Sequence, residues 1–217
     1  MSEVKVIDLI EKAQTVLQDP TGTRWPQYEL VGWLNDAYRE VIIARPDANS
    51  NSAVFPCKAG TRQVLTDEFS TAIRLLDVVR NTADVSDKRA VRVIERQNLD
   101  EQLRSWHDAQ ASDSIEHFMF DPKVPREFMV YPPATDRAEL EIVFSSVPSG
   151  HDVDTDYGNS TETIKMVDSY ANALLDYMLY RAYSKDAEYA ANAQRAMAHY
   201  EAMQRAIGVK TQSEQSA

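Results

Sequence analysis

Ile164 to Gly208, IKMVDSYANALLDYMLYRAYSKDAEYAANAQRAMAHYEAMQRAIG, sets the architecture of this chain. Apolar side chains recur in it at helical spacing: Ile164, Val167, Tyr170, Ala171, Leu174, Leu175, Met178, Leu179 and Ala182. A second series runs through Tyr189, Ala190, Ala193, Ala196, Met197, Tyr200 and Met203. No Gly or Pro interrupts either run until Gly208, a C-cap residue that adopts the left-handed conformation at little cost. Between the runs lies Ser184-Lys185-Asp186, where Ser184 or Asp186 can cap a new helix, and Asp186 and Glu188 suit its positive end. An unbroken helix would be about 65 Å long at roughly 1.5 Å per residue. A domain of this size could not cover such a rod, so the stretch predicts two antiparallel helices.

Towards the N-terminus, Val4 to Gln18 reads as an amphipathic helix with Val6, Leu9, Ile10, Ala13, Val16 and Leu17 on one side. Asp19-Pro-Thr-Gly22 stops it. Pro26 is placed at the first position of a second helix, Gln27 to Ala44, with a stripe of Leu30, Trp33, Leu34, Ala37, Tyr38, Val41 and Ile42. Pro46 ends that helix. Trp25, Pro26, Trp33 and Pro46 are the structural anchors of this hairpin, whose apolar faces need the C-terminal pair as partner.

Between the hairpins the period changes. Seven β-rich runs are separated by turn residues: 53–57, 62–65, 72–80, 89–94, 115–120, 127–131 and 139–147. One short helix is expected from Asn98 to Trp106. The fold class is therefore α+β: a bundle made from N- and C-terminal helix pairs carries a central β-rich insertion, sandwich or barrel-like. The expected parts are a helical hairpin (1–48), the insertion (49–148), an acidic loop (149–163), the C-terminal hairpin (164–208) and a polar tail (209–217).

Composition narrows function by exclusion. The 217 residues carry a net charge of −11 and a single cysteine. Clustered Lys and Arg are what phosphate recognition needs, so the charge argues against a sequence-reading nucleic-acid binder. It remains compatible with a protein that lets DNA pass without gripping it. No apolar run approaches the roughly 20 residues of a membrane span, and the first residues lack a signal-peptide pattern. Cys57 excludes an internal disulfide, fits a reducing cytoplasm and reads as a half-buried strand residue with no His nearby in sequence.

The motifs that could carry chemistry fail on spacing. Asp152-x-Asp154-x-Asp156 begins like a calcium loop, but the sixth and twelfth positions hold Tyr157 and Thr163 where that loop needs Gly and Glu. A solvated acidic loop, Asp152, Asp154, Asp156 and Glu162 included, is the expectation. His107, His117, His151 and His199 show no metal-ligand spacing. There is no nucleophile elbow, and the six glycines form no phosphate-cradling loop. No cofactor or metal is expected.

Aromatic residues crowd the C-terminal helices. Tyr177 and Tyr180 stand near the apolar stripe, while Arg181 and Tyr183 turn off it. Packing inside one subunit is one reading; a subunit interface, where Tyr and Arg are enriched, is the other. The alanines from Ala187 to Ala206 spread beyond one face and permit close approach by another helix.

Several blocks follow one another along the chain: Leu17-Gln-Asp-Pro-Thr-Gly-Thr-Arg-Trp-Pro26, Trp33-Leu-Asn-Asp36, Arg45-Pro-Asp-Ala48, Gly60-Thr-Arg-Gln63 and Arg80-Asn81. Phe120-Asp-Pro, Pro125, Val130-Tyr-Pro-Pro133 and Leu179-Tyr-Arg-Ala-Tyr-Ser-Lys-Asp-Ala-Glu-Tyr189 complete the set. As an ordered set they resemble the head-to-tail adaptor (connector) proteins of tailed bacteriophages, including the tail tubular A type of short-tailed phages. The resemblance implies a structural virion protein of the neck, assembled in the host cytoplasm, without enzymatic activity. It implies a ring, commonly of twelve copies, that docks beneath the portal, seats the next tail (nozzle) protein and passes double-stranded DNA without reading it. Tyr177, Tyr180, Arg181, Tyr183, Tyr189 and Lys210 are then expected at subunit or portal contacts. Asp152, Asp154, Asp156 and Glu162 are expected at the lumen or tail-side face. Two other readings stay open: a small cytoplasmic enzyme or metal-dependent module with a site assembled from distant residues, and another neck component such as a stopper or tail-completion protein.

Overall fold

The computed structural model of the protein describes residues 3–83, 88–186, 188 and 190–208. In chain order the elements are α1 (Val6–Leu17), α2 (Gln27–Ala44), β1 (Ser50–Pro56), β2 (Gly60–Val64), β3 (Ala72–Asn81), β4 (Arg92–Val93), α3 (Arg96–Gln102), β5 (His117–Phe120), β6 (Glu127–Ala134), β7 (Glu139–Ser146), α4 (Ala171–Lys185) and α5 (Ala190–Ala206). The fold is α+β. Asn49–Val147 is one compact unit, and the segments before and after it form the other.

In the helical unit α4 packs against α1, α2 and α5. Leu9, Ile10, Leu30, Leu34, Val41, Ile42, Leu174, Met178 and Ala182 are all sealed from solvent. Pro26 is the N-cap of α2, one position earlier than expected, with extended backbone angles (φ −64°, ψ 155°). The expected stripes need several corrections: Ala193 is exposed, and Tyr170 and Leu175 are only half-buried. Val16 is 45% exposed. Trp33 is half-buried, and Val31 takes a core position instead. Val167 and Met197 lie 62% and 54% open to water.

The largest correction concerns the start of the C-terminal stretch. Residues 164–167 are not helical. Ile164 N donates to Val4 O at 2.9 Å and Val6 N to Glu162 O at 2.9 Å, forming a short antiparallel bridge with the N-terminal residues. Ile164 and Met166 are buried while Lys165 and Val167 point outward, which is a strand's period of two. The helical stretch begins with a 3-10 turn at Asp168–Tyr170. At the far end, Ser184 lies inside α4 and Asp186 is its C-cap, so the second helix starts after both. Gly208 adopts φ +73°, as its place past the end of α5 requires.

The second unit holds two sheets. One has the order β1-β7-β3 and is antiparallel; the other has the order β2-β6-β5-β4 and is antiparallel except between β4 and β5. They share a core of Phe55, Phe69, Leu75, Phe118, Phe128, Leu140, Ile142 and Phe144. Phe69 meets Phe144 edge-on at 5.3 Å and Phe55 meets Phe128 at 5.4 Å, geometries that suit the ring quadrupoles. The helix expected to reach Trp106 stops at Gln102. Trp106 sits in its own 3-10 turn, 1% exposed, with its indole N–H on Asp100 Oδ1 at 2.9 Å. Cys57 lies just past β1 and is buried, not half-buried.

Candidate interaction surfaces

The turn after α1 is organised by one carboxylate. Asp19 accepts hydrogen bonds from the backbone N–H groups of Thr23, Arg24 and Trp25, at 3.0, 2.8 and 2.9 Å. These amides hold its carboxyl below the ordinary range against the opposing effect of burial, the Trp25 amide foremost. The turn delivers Trp25 into the helical core, where its indole N–H reaches Ala182 O at 3.3 Å. Asp19-Pro-Thr-Gly-Thr-Arg-Trp25 is thus a built corner as well as a helix stop. Pro46 opens a 3-10 turn at Pro46–Asn49, and Arg45 caps the C-terminal end of α5 through Ile207 O at 2.8 Å.

The acidic loop is anchored from beneath. His151, 4% exposed, and Tyr157, fully buried, face α2. Asn35 clamps the His151 backbone on both sides, accepting from its N–H at 2.7 Å and donating to its carbonyl at 2.9 Å. His151 Nδ1 meets Glu162 Oε1 at 2.6 Å, and its Nε2 meets the Tyr38 hydroxyl at 2.8 Å. Glu162 can only accept, so Nδ1 carries the proton and Nε2 accepts from Tyr38. The Tyr38 oxygen in turn accepts from Lys165 N–H at 3.1 Å. Every polar atom of this chain of bonds is satisfied with a neutral imidazole. Burial pushes the His151 pKa below its ordinary value, opposed by Glu162. Burial would raise Glu162, but His151 and Lys165 outweigh it and hold that carboxyl low.

The loop is therefore not simply solvated. Glu162 belongs to its foundation. Asp152, Asp154 and Asp156 point outward on a backbone stiffened by Asp154 N–H to Asp152 (3.0 Å), Gly158 N–H to Asp156 (2.9 Å) and Tyr157 O–H to Asp152 O (2.8 Å). Sequence reasoning weighed His151 only for metal-ligand spacing and so missed its structural role. The signal was its pairing with Tyr157, two rings in a segment otherwise short of apolar groups.

The tyrosines knit helices together within the chain. Tyr177 and Tyr183 are each 7% exposed, so Tyr183 does not turn off the buried side. Tyr183 stacks on His199 of α5 at 5.7 Å, and His199 Nδ1 meets Asp176 at 2.8 Å. Tyr180 packs on Tyr200 at 5.0 Å, and Tyr200 O–H reaches Glu40 of α2 at 3.3 Å. Arg181 donates to Asp36 at 3.2 Å and to the Tyr177 hydroxyl at 3.3 Å. Tyr180, Arg181 and the half-buried Trp33 keep a solvent-facing side, and Arg181, Trp33, Glu29, Ser184 and Lys185 line an open depression of about 450 Å³. Tyr189 and Lys210 lie outside the described residues.

In the β unit a cleft of about 530 Å³ is lined by Arg89, Arg92, Ser112, Ser114, Glu116 and His117. Parallel pairing of Arg92 with His117 between β4 and β5 fixes two of these side by side. The sequence signal was the basic run Lys88-Arg89, Arg92, Arg96, which strand patterning passed over. Among the described residues no three His, Cys, Asp or Glu side chains gather as a metal site would require. Burial lifts the Cys57 thiol to about 12, the reverse of an activated nucleophile. Nor is any helix of the described residues long and apolar enough to cross a membrane.

Comparison with known proteins gives one family: the sequence model described as SU10 adaptor protein matches residues 4–217. No curated protein matches the chain.

Proposed function

The chain belongs to the SU10 adaptor protein family, and with that membership as premise we propose that it works as a ring-forming subunit in a phage neck. The family places it as a phage head-to-tail adaptor, a structural protein of the virion that associates with portal and tail proteins. The match over nearly the whole chain carries the reading. On it, copies of this protein, twelve by the resemblance to tail tubular A-type connectors, close a ring beneath the portal. The next tail protein sits below, and double-stranded DNA passes through the hole without being read. The protein makes and breaks no bonds in this role. Its architecture is suited to such a role, since a helical unit knit by aromatic contacts offers firm surfaces and a net charge of −11 leaves passing phosphates unheld.

Contacts on this reading come from the exposed sides of Tyr180 and Arg181 on α4, with Tyr177 and Tyr183 holding them from below, and with Tyr189 and Lys210 nearby in sequence. The three outward carboxylates, Asp152, Asp154 and Asp156, form a second, acidic contact region. Electron microscopy of the protein mixed with its portal tests the proposal. Ring-shaped density on the tail-facing end of the portal is expected. A portal that stays bare at saturating protein would overturn it.

A further inference from the structure

We propose that the acidic loop of one copy docks into the basic cleft of the β unit of the next copy, making a head-to-tail charged contact between neighbours. The inference rests on the ring reading above and adds to it the two surfaces that meet. It starts from the cleft. On a chain with 34 acidic and 23 basic residues, this hollow of about 530 Å³ is walled by two arginines and an imidazole, with Glu116 as the one carboxylate among its described lining residues. Ser112 and Ser114 add hydroxyl donors to the same wall. Arg92 is exposed, and among the described residues its guanidinium makes no hydrogen bond or ion pair. By contrast Arg62, Arg80, Arg96 and Arg137 of the same unit are each paired with a carboxylate. Beside Arg92, His117 has a buried Nδ1 with no partner among the described residues. A cation-lined hollow holding an unpaired guanidinium fits a carboxylate-bearing occupant.

The chain carries such an occupant. Asp152, Asp154 and Asp156 are exposed, lie at every second position, and stand on a loop whose base is locked by Asn35, Tyr38 and Glu162 around His151. Little ordering entropy is lost when a rigid loop binds, which favours association. Asp154 is exposed, and among the described residues its carboxylate makes no hydrogen bond or ion pair, so it is free to reach a neighbour. Loop and cleft are different surfaces, so the contact is heterologous. Repeating it generates a ring when the rotation closes.

Charge reversal tests the contact. Neither Arg92→Glu nor Asp154→Lys touches the core, and circular dichroism with thermal melts checks that both variants fold. Assembly of full-length protein on its portal is followed by sedimentation across a concentration series. Each single reversal raises the concentration needed for assembly by about tenfold or more, because like charges then face each other. The double variant D154K/R92E, with the pair reversed, recovers most of the loss. Wild-type assembly should also weaken as salt rises. If the wild type assembles and either single reversal assembles equally well, the contact is wrong and the adaptor reading stands. If both singles fail and the double variant does not recover, the pairing is wrong. A wild type that never assembles on the portal overturns the ring reading and this contact together.

Discussion

The Tyr38 hydroxyl meets His151 Nε2 at 2.8 Å across 113 residues of sequence, tying the middle of α2 to the start of the acidic loop. The bond is buried, and it closes a relay from Lys165 N–H through Tyr38 and His151 to Glu162. Tyr38→Phe keeps the ring and removes the hydroxyl, leaving two buried groups without a partner. We expect a loss of about 1–3 kcal/mol in urea unfolding. A variant as stable as wild type would show that water replaces the hydroxyl.

The same relay sets a pH dependence. His151 is held below its ordinary value in the folded protein and returns to near 6.5 when the chain unfolds. In the window from about 6.5 down to the lower folded value, the unfolded state binds more protons. Stability contributed by this group is full above the window and declines as the pH falls through it. Thermal midpoints between pH 7.5 and 5 should fall for the wild type. The decline should be shallower in His151→Gln, which cannot take up a proton.

Asp19→Ala should loosen the corner that seats Trp25. Hydrogen exchange reads this directly: the amides of Thr23, Arg24 and Trp25 should exchange about tenfold faster or more, while those in the middle of α2 change little. Because the folded protein lowers the Asp19 carboxyl, its stabilisation is present above the unfolded value near 3.9 and is lost as the pH falls through the folded one. The wild-type advantage over Asp19→Ala should therefore shrink in strong acid.

Leu34→Ala removes a fully buried side chain from the helical unit and should cost about 2–5 kcal/mol. Val167→Ala, in the C-terminal stretch but 62% exposed, should stay within about 0.5 kcal/mol. The difference separates the structure from the helical reading of the sequence, which put both side chains on buried stripes. Equal losses would favour that reading.

Cys57 should resist a thiol reagent at pH 8 in the native protein and react only on unfolding, because its thiol is buried and raised to about 12. Rapid native labelling would mean that the end of β1 opens readily.

These contrasts mark what could be read from the chain. Long amphipathic runs announced themselves: α2 begins and ends at the expected residues, since Pro26 and Pro46 bracket a stripe of Leu30, Leu34, Ala37, Val41 and Ile42. Each expected β-rich run overlaps a strand, because turn residues separate short apolar segments. Long-range pairing was not legible. Ile164 with Val167 fitted a helical stripe, Ile164 with Met166 fits a strand's alternation, and only the partner at residues 4–6 selects the second. The anchoring role of His151 was not legible because its partners, Tyr38 and Asn35, come from another element far away in sequence. The basic cleft depends on parallel pairing of two short strands, a contact that local periodicity does not encode. Cys57 was misjudged for a related reason: it belongs to the core that both sheets share, which is assembled from residues far apart in the chain.

Asn49 donates from its side-chain amide to Ser146 O at 2.8 Å, and Ser50 stands opposite Ser145 at the outer end of the β1–β7 pair. The polypeptide enters and leaves the sandwich through a single doorway. Joining the two sides of that doorway with a tight hairpin would delete the whole cassette by two cuts at neighbouring points, with the chain order of the four long helices intact. Grafting a different cassette between the same two points is a direct route to a chimaera in which one module keeps its sequence while the other is exchanged.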